Sequence, residues 1–328
     1  MVDRYKSSGI MAECEEDVLD PLICNLIALM KPNGNIRLIY DARIQNHYSR
    51  KNKTFHTSLF DTLRSIDLNS SHFSIIDLTS SYYSIRLDPA SRRYFCFYSD
   101  DKLCCLQALP QGYCESHNHL ARVLERIFPT RKNLYCYLDD LILTHNCGWS
   151  EAMKDVIEVL SKLASWGFKI SPKKANLFKQ SVIFLGFLLR RGTINIPDQR
   201  IQGFLDIPPP SSRLGLRKFI NSLSFFRSNI PNFAELTVDL TELVNKSDRK
   251  KKGCIPFKFL PEHLEKFESL KTAIKKYLPL HDVNFEKPIY TFSDASKRSI
   301  SFVAFQLDTD DDKWFKDETL TEAKKTKR

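Results

Sequence analysis

Leu134-Tyr-Cys-Tyr137-Leu138-Asp139-Asp140-Leu141-Ile-Leu143-Thr-His145 sets two adjacent carboxylates between two short apolar runs. Runs of that length, rich in aromatic and β-branched residues, read as strands, and the acidic dipeptide between them reads as the tip of a hairpin. Asp is a common turn residue, so a lone Asp-Asp marks a solvated turn far more often than a site. Here a second strand-like run, Phe73-Ser-Ile-Ile-Asp77, also ends in an acid. Neighbouring strands in one sheet would bring Asp77 to Asp139. Carboxylates gathered this way repel one another, and hard divalent cations such as Mg²⁺ or Mn²⁺ relieve the repulsion. Two such ions can activate an attacking oxygen and stabilise the oxygens of a leaving phosphate.

The rest of the chain alternates strand and helix signals. Ile36–Asp41 is an apolar run after Asn33-Gly34, a hairpin-type turn signal, and Tyr94–Tyr98 is strand-like. Leu120, Val123, Leu124 and Ile127 fall at helical spacing before Pro129, and Met153, Val156, Ile157, Leu160 and Ala164 do so before Gly167. Val182–Leu189 and Thr193–Ile196 flank Arg191-Gly192 and predict a second hairpin. Pro208-Pro209-Pro210 is a stiff break and is expected to be a domain boundary. Helical patterns follow over 216–226, 234–244 and 261–274, with Lys246–Lys252 as a charged linker and a strand at 289–292. Residues 1–20 are polar and are expected to be loose. The fold class is α+β to about residue 200, with a helical part after it.

Composition narrows the function. Of 328 residues, 42% are hydrophobic and 27% charged, which excludes a fully disordered chain. The longest apolar stretches, near 22–30 and 182–189, are too short to span a membrane. The opening residues lack the apolar core of a secretory signal. Nine cysteines, an odd number with no C-x-x-C pair, predict free thiols in a reducing compartment. A net charge of +10 points to a polyanionic partner, nucleic acid first. Lys169, Lys173, Lys174, Lys179, Arg190 and Arg191 cluster around the second hairpin and would meet phosphates without reading sequence.

Five segments together resemble a known family. They are Lys31-Pro-Asn-Gly-Asn-Ile-Arg37-Leu-Ile-Tyr-Asp41-Ala-Arg43-Ile-Gln-Asn46, Phe73-Ser-Ile-Ile-Asp77-Leu-Thr-Ser-Ser-Tyr82-Tyr, Leu109-Pro-Gln111-Gly112, Tyr137-Leu-Asp139-Asp140 and Phe184-Leu185-Gly186-Phe187. In this order the chain resembles the reverse transcriptases of retroviruses and long-terminal-repeat retrotransposons, from about Pro21 to Gln306. The resemblance implies a right-hand polymerase: fingers over residues 1–70 with 93–110, and a palm over 71–92 and 111–200. A helical thumb over 201–250, a connection over 251–288, a partial ribonuclease H-like segment over 289–306 and a disordered charged tail over 307–328 complete it.

The resemblance also implies roles. Asp77, Asp139 and Asp140 match the palm aspartates that bind two Mg²⁺ or Mn²⁺ ions, with Asp140 as a supporting ligand. Lys31 and Arg37 match cations that contact the incoming triphosphate, Tyr82 the steric gate against a 2′-hydroxyl, and Gln111 and Gly112 the loop near the nucleotide sugar. Phe184, Leu185, Gly186 and Phe187 match the primer grip. Lys173, Lys174, Arg217, Lys218 and Arg227 are candidates for nucleic-acid backbone contacts, and Asp41 with Arg43 for a structural pair in the fingers.

The implied activity is RNA-directed DNA synthesis from deoxynucleoside triphosphates on a primed RNA or DNA template, by a homo- or hetero-oligomer or a monomer. Tyr290-Thr-Phe-Ser-Asp294-Ala-Ser resembles the start of a ribonuclease H domain, but the remaining acids of such a site cannot be placed, so ribonuclease H activity is not expected. The chain reads as part of a larger polyprotein. A cytoplasmic place follows from the thiols, within virus-like particles by the resemblance, with nuclear entry through the basic tail as the alternative. A catalytically silent nucleic-acid-binding or partner subunit remains the competing functional reading.

Overall fold

Alternation along one strand sets the architecture. In β4 (His72–Thr79), buried Phe73 and Ile75 point to one side, while Ile76 and Leu78 point to the other. A strand buried on both faces needs cover on both, and the chain supplies it. The computed structural model describes residues 2–14, 18–30, 34, 36–50, 58–129, 131–245, 259–295 and 300–307. The chain forms two compact units, Met1–Leu280 and His281–Arg328.

In the first unit, α1 (Val2–Ser7) leads to β1 (Met11–Glu13), and β2 (Leu26–Met30) pairs with β3 (Ile36–Tyr40) as a ribbon. Most of the turn joining β2 to β3, including Lys31 and Asn33 of the turn signal, lies outside the described residues. Helices α2 (Arg43–Tyr48) and α3 (Leu59–Ser65) precede β4, and a short 3₁₀ turn, Ser81–Ser84, and α4 (Pro89–Arg92) follow it. Then β5 (Cys96–Ser99) and β6 (Lys102–Leu106) complete a sheet in the order β1-β6-β5. Residues 1–20 were expected to be loose. Met11 is instead buried and β1 pairs with β6, because Val2, Tyr5, Ile10 and Met11 supply the apolar side of a core shared with Phe95, Phe97 and Leu106.

The central sheet is antiparallel, with order β10-β4-β8-β7 from β7 (Leu134–Tyr137), β8 (Asp140–His145) and β10 (Asn176–Lys179). The short β9 (Lys169–Ile170) pairs with the end of β4. On one face lie α5 (Ser116–Ile127) and α6 (Trp149–Ser165), with Leu120, Leu124, Val159 and Leu163 against Ile76, Leu78, Leu141 and Leu143. Ala152, Val156, Val159 and Leu163 follow the 3.6-residue period, and Gly167, at φ 77°, closes α6.

The other face meets a ribbon of β11 (Ser181–Phe184), β12 (Phe187–Arg190) and β13 (Thr193–Asn195). Helices α7 (Asp198–Leu205), α8 (Arg213–Ser224), α9 (Phe233–Asn245) and α10 (Pro261–Lys275) continue the same core. Phe204, Phe219, Phe226, Leu240 and Phe267 pack with Phe73, Ile75 and Ile142 in one cluster. The expected boundary at Pro208–Pro210 therefore falls inside the first unit, since apolar side chains on both sides of the break share that cluster. The linker at 246–252 lies outside the described residues.

In the second unit, Tyr290–Ala295 and Ile300–Phe305 form an antiparallel pair, with Phe292 stacked on Phe305 at 5.5 Å. The backbone of Asp294 opposes Ser301, but its side chain and the tail from 308 onward lie outside the described residues. Among the described residues, no helix is long and apolar enough to cross a membrane. The eight described cysteines are free thiols.

Phe267 is fully buried, with its ring 4.6 Å from that of Phe219. Phe267→Ala should cost about 3–5 kcal/mol, read as a lower urea midpoint. A loss below about 1 kcal/mol would show that α10 does not share the core of α8.

Candidate active site

The register of β4 on β8 sets Asp77 directly opposite Asp140. Directly opposed residues of an antiparallel pair project from the same face. Asp77 has the parity of Phe73 and Ile75, and Asp140 has that of Ile142. Both acids therefore emerge on the face that carries the ribbon and helices α7–α10, at the end of the strands where they are only partly buried.

Asp139 comes from the adjoining turn. Tyr137 pairs with Asp140, which leaves a two-residue loop, Leu138-Asp139. Leu138 has φ 56°, while Asp139 is not among the positive-φ residues, the pattern of a type II′ turn. That position favours glycine, so a leucine there stores strain of about 1–3 kcal/mol. The Asp139 carbonyl accepts the Leu78 N–H at 3.1 Å, so the turn is tied to β4 one residue beyond Asp77.

Electrostatics show how crowded this corner is. Burial, then the charges of Asp139 and Asp77, push the Asp140 carboxyl up to about 6, and Lys174 pulls it down. Tyr82 sits in the 3₁₀ turn after β4, half-buried against the core under α5 and α6. Burial and then the Asp139 charge raise its hydroxyl pKa.

Lys174 does not point away from this corner. Its Nζ lies 3.3 and 3.2 Å from Asp77 Oδ1 and Oδ2. Among the described residues, no group of three or more His, Cys, Asp or Glu side chains closes to metal-holding distance. The donor chemistry nevertheless suits a hard cation: three carboxylates come from one corner of the sheet, and burial and the other two charges drive one of them towards its neutral form.

Gln111 and Gly112 lie in the loop before α5. Gly112 has φ 104°, and a Cβ there would stand 3.4 Å from the Tyr40 carbonyl oxygen. Asn46 clamps this loop, its amide donating to the Gly112 carbonyl at 2.9 Å and accepting the Cys114 N–H at 2.7 Å. Sequence reading quoted Asn46 only as part of a motif. Its role depends on a partner 66 residues away, which no local signal reveals. Asp41 and Arg43 form the expected pair at 2.6 Å. Lys31 lies outside the described residues, and Arg37 is placed only by its backbone in β3.

The hairpin of β11 and β12 turns at Leu185 and Gly186, with φ 49° and 83°, a type I′ pattern. Phe184 and Phe187 are 2% and 1% exposed, and Phe187 stacks on Phe225 at 5.1 Å. The two phenylalanines anchor the hairpin in the core, and Leu185 and Gly186, at its tip, are half-exposed. Arg217 and Lys218 on α8 and Arg227 just after it are exposed, as is Lys173 beside the acidic corner.

Residues 29–189 match the family model for reverse transcriptase (RNA-dependent DNA polymerase). That match, together with retroelement polyproteins that align with most of the chain, supports a retroelement reverse transcriptase. The Transposon Tf2-3 polyprotein of Schizosaccharomyces pombe is 26% identical over 294 residues, an alignment covering 89% of this chain and 21% of that protein. The Gag-Pol polyprotein of woolly monkey sarcoma virus is 27% identical over 313 residues, covering 89% and 17%. The chain thus spans about a fifth of the length of these relatives. Two solved structures share the fold at 20% identity and cover 93% of this chain. The foamy viral protease-reverse transcriptase dRH in complex with double-stranded DNA has a TM-score of 0.80 and is covered over 52% of its length. The foamy viral protease-reverse transcriptase in complex with RNA/DNA hybrid has a TM-score of 0.78 and is covered over 40%. The α+β right-hand polymerase fold of the reverse transcriptase is therefore that of this chain.

The Asp140 carboxyl titrates above its ordinary value of 3.8 in the folded chain. The folded state bears no penalty below about pH 4, loses stability as pH rises from there towards 6, and carries the full cost above that. Asp140→Asn should raise the thermal midpoint of the metal-free chain by about 2–4 °C near neutral pH and leave it unchanged below about pH 4. An equal shift at both would mean that packing, not charge, governs this position.

Proposed function

We propose that the chain is an RNA-directed DNA polymerase that extends a primer with deoxynucleoside triphosphates. The observation that carries this reading is the cross-strand pair Asp77–Asp140 with Asp139 in the adjoining turn, inside the segment that matches the family. Asp77, Asp139 and Asp140 would hold two Mg²⁺ or Mn²⁺ ions, Asp140 in the supporting place. When bound, such ions neutralise charge on the triphosphate and at the attacking 3′-hydroxyl.

The chain's own residues do the positioning. Tyr82, held in the 3₁₀ turn that follows the Asp77 strand, would offer a ring edge against which a 2′-hydroxyl clashes, so selection for deoxynucleotides rests on built-in exclusion. Gly112 admits close backbone approach, and Asn46 holds the Gln111-Gly112 loop in place for the sugar. Lys31 and Arg37 are assigned to the triphosphate on the family resemblance. Leu185 and Gly186, at the tip of a hairpin anchored by Phe184 and Phe187, would steady the primer end. Lys173, Arg217, Lys218 and Arg227 would meet phosphates along an RNA–DNA or DNA duplex. The duplex partner is supported by the nucleic acids in the neighbouring structures, each bound by its own protein.

Primer extension on an RNA template tests the reading. Asp139→Asn should lower incorporation by about a hundred- to a thousandfold, the scale of losing one charge-stabilising group. Equal extension by both proteins would overturn the assignment of Asp139, and duplex binding without extension by either would favour the silent-subunit reading. Tyr82→Ala should raise ribonucleotide incorporation relative to deoxynucleotide. An unchanged ratio would remove the tyrosine from sugar selection.

A further inference from the structure

The edge of the central sheet is interrupted beside Asp77. Strand β9 pairs with β4 at Leu78 and Thr79, and β10 pairs with it at Ile75 and Phe73. Between them, residues 171–175 form a turn level with Ile76 and Asp77. That turn is pinned to the acid's own backbone: the Ser171 N–H donates to the Asp77 carbonyl at 3.1 Å, and the Lys174 and Ala175 N–H groups close onto the Ser171 carbonyl at 3.1 Å. The pinned turn delivers the Lys174 ammonium to both Asp77 oxygens, at 3.3 and 3.2 Å. Exposure across the pair is uneven, with the Asp77 side chain 19% exposed and Lys174 67%. The acid is fixed in place while the cation can leave. The three carboxylates share one corner of the backbone, yet their side chains do not close to metal-holding distance.

We propose that Lys174 is a displaceable counter-ion of the acidic corner. In the metal-free protein its ammonium holds the Asp77 carboxylate away from a position shared with Asp139 and Asp140, and a divalent cation must displace it. The inference rests on the assignment of those three acids as metal ligands. It gives Lys174 a role distinct from a contact with the nucleic-acid backbone. The lysine limits repulsion among three acids while no metal is bound, and it sets a threshold cation concentration for closing the site.

Calorimetric titration of the full chain with Mg²⁺ and with Mn²⁺ tests this, using wild type, Lys174→Gln, Lys174→Arg, Lys173→Gln and Asp139→Asn. Lys174→Gln should bind either ion about three- to tenfold more tightly, the effect of removing a competitor from a partly exposed ion pair. Lys173→Gln should stay within about twofold of wild type, because it lies off Asp77, and Lys174→Arg should bind no more tightly than wild type, because it keeps a competitor that holds the carboxylate at least as firmly. Without metal, Lys174→Gln should melt below wild type, and saturating Mg²⁺ should erase the difference. If metal binding is lost in Asp139→Asn but unchanged or weaker in Lys174→Gln, the counter-ion role is overturned while the metal site stands. Equal gains in Lys173→Gln and Lys174→Gln would also overturn it, since diffuse charge would then be the cause. If wild type and Asp139→Asn bind alike, the metal assignment itself falls, and the counter-ion role falls with it.

Discussion

One register holds the candidate site together: Asp77 lies opposite Asp140 in β4 and β8, and a two-residue turn brings in Asp139. Slipping that pairing by one residue would turn one acid to the opposite face of the sheet. The same slip would send Ile142 from the core shared with α7–α10 into the core under α5 and α6. The register is therefore not free to drift. The apolar residues that fix it are the residues between which the acids sit. Strand cores on both faces stabilise a corner that is itself unstable.

That instability is local and electrostatic. The chain carries net charge +10, yet at this corner burial, reinforced by the charges of Asp139 and Asp77, pushes the Asp140 carboxyl up to about 6. A strained leucine occupies the turn position that glycine would fill at less cost. Neither feature favours folding. Both persist because Ile75, Ile76, Leu141 and Ile142 are buried on the strands that hold them, with surrounding packing that over-determines the geometry. Repulsion among the acids is what the proposed cation site needs, and the packed strands sustain it.

Much of this was legible in the sequence, for reasons that differ by residue. The hairpin at Tyr137–Asp140 could be read because two apolar runs flank a short polar break. Asp77 could be read because FSIID ends in an acid after four residues suited to a strand. Helices α5, α6, α8 and α10 showed their buried faces as 3.6-residue periodicity. The N-terminal strand was missed because three residues pairing with a distant strand carry no period of their own. Pro208–Pro210 suggested a boundary because proline stiffness is local, whereas the core joining Phe204 to Phe219 and Phe267 is not. Phe184 and Phe187 flank a turn, and only packing against distant residues, for Phe187 the rings of Phe225 and Phe226, decides that they are buried.

Lys174 marks the limit of such reading most clearly. In sequence it is one of several lysines in a basic stretch, and a charge run of this kind reads as a solvated or phosphate-facing surface. Its partner Asp77 lies 97 residues earlier, and the two meet only because the edge strand breaks into a turn at the level of Ile76 and Asp77. A continuous edge strand there would satisfy β4 with backbone hydrogen bonds and leave the acid facing its two neighbours without a cation. The break forfeits ladder hydrogen bonds, and in exchange the turn delivers an ammonium to Asp77. Because that ammonium stands two-thirds exposed, it neutralises without sealing the site. A buried lysine or an arginine fork would hold the carboxylate more firmly and be harder to displace. The choice of a mobile point charge at this position is what keeps a corner of three acids both stable enough to fold and open to a second cation.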